Sequence, residues 1–182
     1  MRRLLGLAIV LSLFWPTVGN GTTVLFVPLS QLVQTADLII YGTVEDSTTK
    51  NLADGAPPQI VTDVTLSVSR TLKGQTPGPR FVLRQIGGTY GGYILNIPGQ
   101  PTLRPGDEVV LFLERSEEYW AISGFAQGMF DVYRDAHGTK IARRSLKGSP
   151  VHAFGEMGEQ METERVMEMP LDELFAFIRS YR

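Results

Sequence analysis

The segment Ala36-Asp37-Leu38-Ile39-Ile40-Tyr41-Gly42-Thr43-Val44 places four large apolar residues in a row and closes them with a glycine. The run is too short for a helix and rich in β-branched and aromatic types, so it predicts a strand buried on both faces. Such a strand is the spine of a small closed β-sheet. The chain holds no cysteine. Disulfides and a lipid-modified cysteine are therefore excluded, and stability must come from packing. With 182 residues and 43% hydrophobic content, the chain suits a single domain with one core.

Met1-Arg2-Arg3 followed by the apolar run Leu4 to Trp15, then Pro16-Thr17-Val18-Gly19-Asn20-Gly21, has the basic, apolar and small-residue regions of a secretory signal. The apolar run falls short of the ~20 residues a spanning helix needs, which favours cleavage over a retained anchor. A mature chain would begin near Asn20 or Thr22 and be periplasmic or extracellular, with no membrane attachment after cleavage. Losing Arg2 and Arg3 and no acidic residue takes the formal charge from −2 to −4. An acidic domain lacks the basic footprint that counterion release requires, so nucleic acid is discounted as a partner.

The mature chain reads as strands separated by turn signals. Pro28 to Thr35 predicts a short helix on the spacing of Leu29, Leu32, Val33 and Ala36, and the first strand covers about Asp37 to Glu45, with Gly42 available for a bend. The second strand alternates, with Thr62, Val64, Leu66 and Val68 on one face and Asp63, Thr65, Ser67 and Arg70 on the other. Phe81 to Ile86 is the third. Gly87 to Gly106, rich in glycine, tyrosine and proline, predicts an irregular hairpin or bulged strand. Asp107 to Glu114 is a second fully buried strand, Tyr119 to Gly124 returns antiparallel to it, and Met129 to Arg134 with Thr139 to Arg144 makes a last hairpin. Ser145 to Met169, without consistent periodicity, predicts a loosely ordered acidic, methionine-rich linker. Pro170 opens a terminal helix with Leu171, Leu174, Phe175 and Ile178 on one side.

The expected organisation is a signal peptide over 1–21, an OB-like closed or partly open β-barrel of five or more strands over 22–145, the linker over 146–169 and a C-terminal helix over 170–182. Asp37 to Val44, then Val64-Thr65-Leu66-Ser67-Val68-Ser69-Arg70-Thr71-Leu72-Lys73-Gly74, then Gly106 to Leu113, together resemble the netrin-like modules, which include tissue inhibitors of metalloproteinases. The pattern is also similar to uncharacterised exported bacterial proteins. The netrin-like resemblance implies an OB-like barrel and, in its inhibitors, an N-terminal cysteine at a protease zinc. This chain has no cysteine to carry that role, so no inhibitory residue transfers.

Tyr90 and Tyr93 are the first candidate binding residues. Glycines on either side let a ligand approach the backbone, and the two rings offer a stacking platform. Their structural alternative is a cover over the barrel end. Arg70, Lys73, Arg80 and Arg84 are the second candidates, as a basic patch for an acidic glycan or carboxylated peptide, with strand-edge charges that guard against aggregation as the alternative. Met157, Met161, Met167 and Met169 match no copper motif, and the glutamates among them read as a solvated run. His137 in a turn and His152 in the linker belong to no catalytic signature. No cofactor, metal or catalytic residue is therefore expected. The sequence reads as an exported, non-catalytic binding module for a protein or glycan ligand, with a netrin-like protease inhibitor second and an enzyme third. It specifies neither ligand nor oligomeric state.

Overall fold

The computed structural model describes residues 24–53, 57–116, 119–147, 151–152, 160–161 and 164–181. The expected signal peptide over 1–21 lies outside the described residues. The elements are β1 (Val24–Leu25), α1 (Leu29–Thr35), β2 (Leu38–Asn51), β3 (Ile60–Lys73), β4 (Arg80–Ile86), β5 (Gly88–Tyr90), β6 (Tyr93–Leu95), β7 (Glu108–Arg115), β8 (Trp120–Ile122), β9 (Met129–Arg134), β10 (Lys140–Ser145), β11 (Val151–His152), β12 (Val166–Pro170) and α2 (Leu171–Ser180). The chain is mainly β.

One sheet dominates, in the order β12-β10-β9-β7-β2-β3-β4, with every neighbouring pair antiparallel. It forks at β7. Val109 to Leu111 pair with β9, whereas Leu113 to Arg115 pair with β8. The β8 branch bends towards β4 until the rings of Phe81 and Trp120 lie 6.1 Å apart. Among the described residues no ladder joins β4 to β8, so the sheet is not closed.

β2 is the buried spine that its composition predicts. Leu38, Ile40 and Val44 enter a cluster inside the curled sheet with Leu66, Phe81 and Leu111. Ile39 and Tyr41, one residue out of phase, enter a second cluster under α1 and α2. Strand alternation sends neighbouring side chains to opposite faces, and both faces here are covered. The expected single core is thus two cores, one on each face of the shared strands β2 and β7.

The curvature has a local cause. The β2–β3 ladder shifts register between Ile39 and Ile40, between Tyr41 and Gly42, and between Val44 and Asp46. Each extra residue is a bulge that bends and twists the pair. At Gly42 a side chain would run into the backbone of Ser67 and Val68, so the close approach demands glycine.

Both helices lie where their apolar spacing predicts. α1 buries Leu29, Leu32 and Val33, and α2 buries Leu171, Leu174, Phe175 and Ile178. α1 is only seven residues long and has no side-chain N-cap. Instead, the Leu29 amide donates to Glu164 Oε2 at 3.2 Å, and Lys73 Nζ donates to the Val33 and Gln34 carbonyls at 2.8 Å each. An anion at the N-terminus and a cation at the C-terminus match the helix dipole.

The linker expected over 146–169 needs correction. Val166–Pro170 is a strand of the main sheet, paired with β10 from Ile141↔Pro170 to Ser145↔Val166, and Val151 pairs in parallel with Val24. Alternation is hard to read in both segments: β12 is an edge strand whose Met167 and Met169 are only partly buried against the helix-covered cluster, and β11 is two residues long and joins a small satellite cluster. Glu164 also forms an ion pair with the fully buried Arg144 at 2.6 Å. That buried pair ties the segment to the fold.

Candidate functional site

The Gly87 to Gly106 segment contains the expected hairpin. β5 and β6 pair Gly88↔Leu95, Thr89↔Ile94 and Tyr90↔Tyr93. Gly91 and Gly92 between them have φ values of 56° and 83°, the two positive angles of a two-residue turn that matches strand twist. Tyr90 and Tyr93 are therefore cross-strand neighbours at the tip, 45% and 54% exposed, next to Ile94 at 78%. They share a hairpin face with Gly88, because residues two apart on a strand point the same way.

That face turns towards the β2–β3 pair. A Cβ on Gly88 would stand 2.6 Å from Thr62 Oγ1 and 2.7 Å from Thr49 Cγ2. Thr49 and Thr62 are themselves opposite one another across the ladder, with hydroxyls 3.0 Å apart. Thr62 Oγ1 donates to the Gly87 carbonyl at 2.7 Å. A hydroxyl has one proton, so Thr49 must be the donor to Thr62, and the lone pairs of Thr49 remain open.

Between the hairpin, the threonine pair and the returning segment 96–103 lies a cavity of about 350 Å³. Its hydroxyl side chains are Ser47, Thr49, Thr62, Thr89 and Thr102, and its amides are Gln85, Asn96 and Gln100. Two of the amides are oriented by the backbone. Gln85 Nε2 donates to the Pro101 carbonyl at 3.1 Å, and Gln100 Nε2 donates to the Ile86 carbonyl at 2.9 Å. Ile94, Leu95, Ile97 and Leu103 supply apolar wall, and no charged side chain lines the space.

The expected basic patch does not assemble. Arg84 forms a two-pronged ion pair with Asp63, at 2.7 and 3.0 Å. That hydrogen bond is the main reason the Asp63 carboxyl is lowered to about 2, with Lys50 adding to it and partial burial opposing. Arg80 pairs with Glu45 at 2.8 Å. Lys73 holds the end of α1, as described above. Arg70, turned by the bulge beside it, lies 5.1 Å above the Phe175 ring. Arg84 is in register with Asp63, and Arg70 lies about 20 Å further along β3 at ~3.3 Å per residue. The four cations serve separate contacts.

Two other polar groupings were not visible in the sequence. Tyr41 donates to Glu108, and Lys140 donates to both, while the Tyr41 ring meets Phe175 edge-on at 5.4 Å. This trio links β2, β7 and β10, and its members satisfy one another. Asp107 and Asp131 line a separate cavity of about 320 Å³ with Arg104 and Ser145. Asp131 is exposed as a residue, yet desolvation of its carboxyl raises its pKa. The Asp107 charge adds to that rise and Arg143 opposes it. Among the described residues no group of three or more His, Asp or Glu is placed to hold a metal ion. Nor is any helix there long and apolar enough to cross a membrane.

Residues of the neutral cavity escaped the sequence reading because Thr49, Thr62, Gln85 and Gln100 come together only through strand register and loop return. The usable signal was the pair of threonines flanking the turn-rich Asn51 to Gln59 segment. Neither a protein-family model, nor a curated protein, nor a solved structure matches this chain.

Proposed function

We propose that the protein is an exported, non-catalytic binding module that takes its ligand in the cavity beneath the β5–β6 hairpin, with Tyr90 and Tyr93 as the exposed contact surface. The observation that carries this reading is the hairpin itself. Two large aromatic side chains are held side by side and exposed at its tip, while Gly88, Thr89, Ile94 and Leu95 of the same hairpin line a concave, partly apolar cavity with converging polar groups. That is the usual form of a small-ligand site. Export rests on the signal-like residues 1–21.

The strand order supports an OB-like, partly open barrel as the finer description of the fold. β2, β3 and β4 form a meander, β7 returns beside β2, and β8 runs parallel to β4 across the unclosed seam. The second reading, a protease inhibitor that acts through loops, rests on the netrin-like resemblance of the sequence.

Replacing Tyr90 and Tyr93 together by alanine tests the proposal. Binding to a panel of soluble glycans and short peptides should weaken at least tenfold, with the melting temperature moving by no more than about 2 °C. A large loss of stability would mean that both rings are structural. Unchanged affinity would remove the hairpin from the site, and inhibition of a metalloprotease by the double variant and parent alike would favour the second reading.

A further inference from the structure

Resting on that reading of the cavity, we infer that its ligand is a neutral saccharide. The lining decides the class by elimination. One residue in five of this chain is charged, and the neighbouring cavity holds Arg104, Asp107 and Asp131, yet this one presents no charge at all. An ionic ligand would leave water here without a counter-charge, which is strongly unfavourable. A purely apolar ligand would strand the hydroxyls and amides of the wall without partners, and each stranded polar group carries its full desolvation penalty. What remains is a ligand that is uncharged and studded with hydrogen-bonding groups.

The direction of the hydrogen bonds narrows this further. The Thr62 proton is committed to Gly87 and the Thr49 proton to Thr62. Gln85 and Gln100 each commit one amide N–H to a backbone carbonyl, which fixes the amide plane and leaves Oε1 as an acceptor and the second N–H as a donor. The cavity thus meets its ligand with fixed acceptors in Thr49 Oγ1 and two amide oxygens, and with groups that can donate as well as accept in Ser47, Thr89, Asn96 and Thr102. Sugar hydroxyls are donors that also accept, so they suit such a wall. The apolar face of a pyranose ring suits the other components, the Ile94 and Leu95 wall and, further along the same hairpin, the exposed Tyr90 and Tyr93, on whose aromatic faces C–H groups of a longer saccharide can stack.

The test titrates the full chain with neutral trisaccharides (cellotriose, maltotriose, chitotriose), with the acidic trigalacturonate, and with neutral tripeptides, following the backbone amides of Thr49, Thr62, Gly87 and Thr89 by NMR. Neutral trisaccharides should shift these four resonances. Thr49→Val, which keeps the shape and removes the acceptor, should weaken binding about three- to tenfold. Because that change also removes the bond to Thr62, Tyr93→Ala provides a second variant at an exposed position, expected to weaken binding about tenfold at unchanged melting temperature. Preference for trigalacturonate or for peptides at these resonances would overturn the saccharide class and leave the binding module standing. Saccharide binding with shifts elsewhere would overturn the site. No shift with any probe would overturn both this inference and the proposed function.

Discussion

Replacing Gly88 by alanine drives a methyl group into the contact on which the candidate site depends. The added carbon would stand 2.6 Å from Thr62 Oγ1, 2.7 Å from Thr49 Cγ2 and 2.8 Å from Thr49 Oγ1. Both neighbours are short, β-branched and hydrogen-bonded, so neither can swing away. Overpacking of this kind costs about 1–3 kcal/mol, and an alanine held at φ +130° adds about 1–3 kcal/mol of backbone strain. The sum need not appear in global stability. The hairpin leaves Tyr90, Tyr93, Ile94 and Leu95 exposed, and a two-stranded hairpin is only marginally stable by itself. Its undocking is a local event that limits the loss. Urea unfolding of Gly88→Ala should therefore fall by about 1 kcal/mol or less, while native-state hydrogen exchange in β5 and β6 accelerates at least tenfold and saccharide binding disappears. Gly91→Ala is the control: its φ of 56° is strained, but nothing lies within 4 Å of the added carbon. It should cost about 1 kcal/mol locally and leave the cavity intact. Unchanged exchange and binding in Gly88→Ala would refute the packing argument. A global loss equal to the full sum would refute the claim that the hairpin opens separately.

The Arg144–Glu164 pair should respond unequally to removal of its two members. Glu164→Ala strands a guanidinium that is fully buried, with Nε and Nη1 already unpartnered, and should cost about 3–5 kcal/mol. Arg144→Met leaves Glu164 its bonds to Leu29 and Gln160 and should cost less in the same denaturation assay; equal losses would contradict this account. Asp63 predicts an acid-sensitive contribution. Its carboxyl is lowered from 3.8 to about 2 in the fold, so the stability it provides is complete above pH ~4 and is lost as pH falls through about 2. Because Arg84 and Lys50 are more than 40% exposed, screening limits the gain to about 1 kcal/mol. Asp63→Asn should remove that amount at pH 7, less near pH 2 and nothing well below it, and a pH-independent difference would show that the ion pairs are not its source.

Much of the architecture is local enough to be written in the chain. The four-residue apolar run of β2 and the matching run of β7 required strands covered on both faces, and the apolar spacing of α1 and α2 required helices to cover one of them. The glycines around Tyr90 and Tyr93 suggested an irregular hairpin or a bulged strand, and the segment contains a hairpin closed by a two-residue turn. What the residues could not state was register. Bulges in β2 and β3 decide that Arg70 turns to Phe175 and that Thr49 meets Thr62, and one residue of slip would have sent each to the opposite face. The basic patch failed for the same reason: the ladder sends Arg80 and Arg84 to separate ion pairs, Lys73 to the end of α1 and Arg70 to the Phe175 ring. β12 stayed hidden because a strand lying against a helix and a half-exposed neighbour carries no clean alternation. The neutral cavity is the furthest from the sequence of all: its walls come from β2, β3, β4, the hairpin and the returning loop. Periodicity reports which way a side chain points along its own element, and only tertiary folding decides which side chains then face one another.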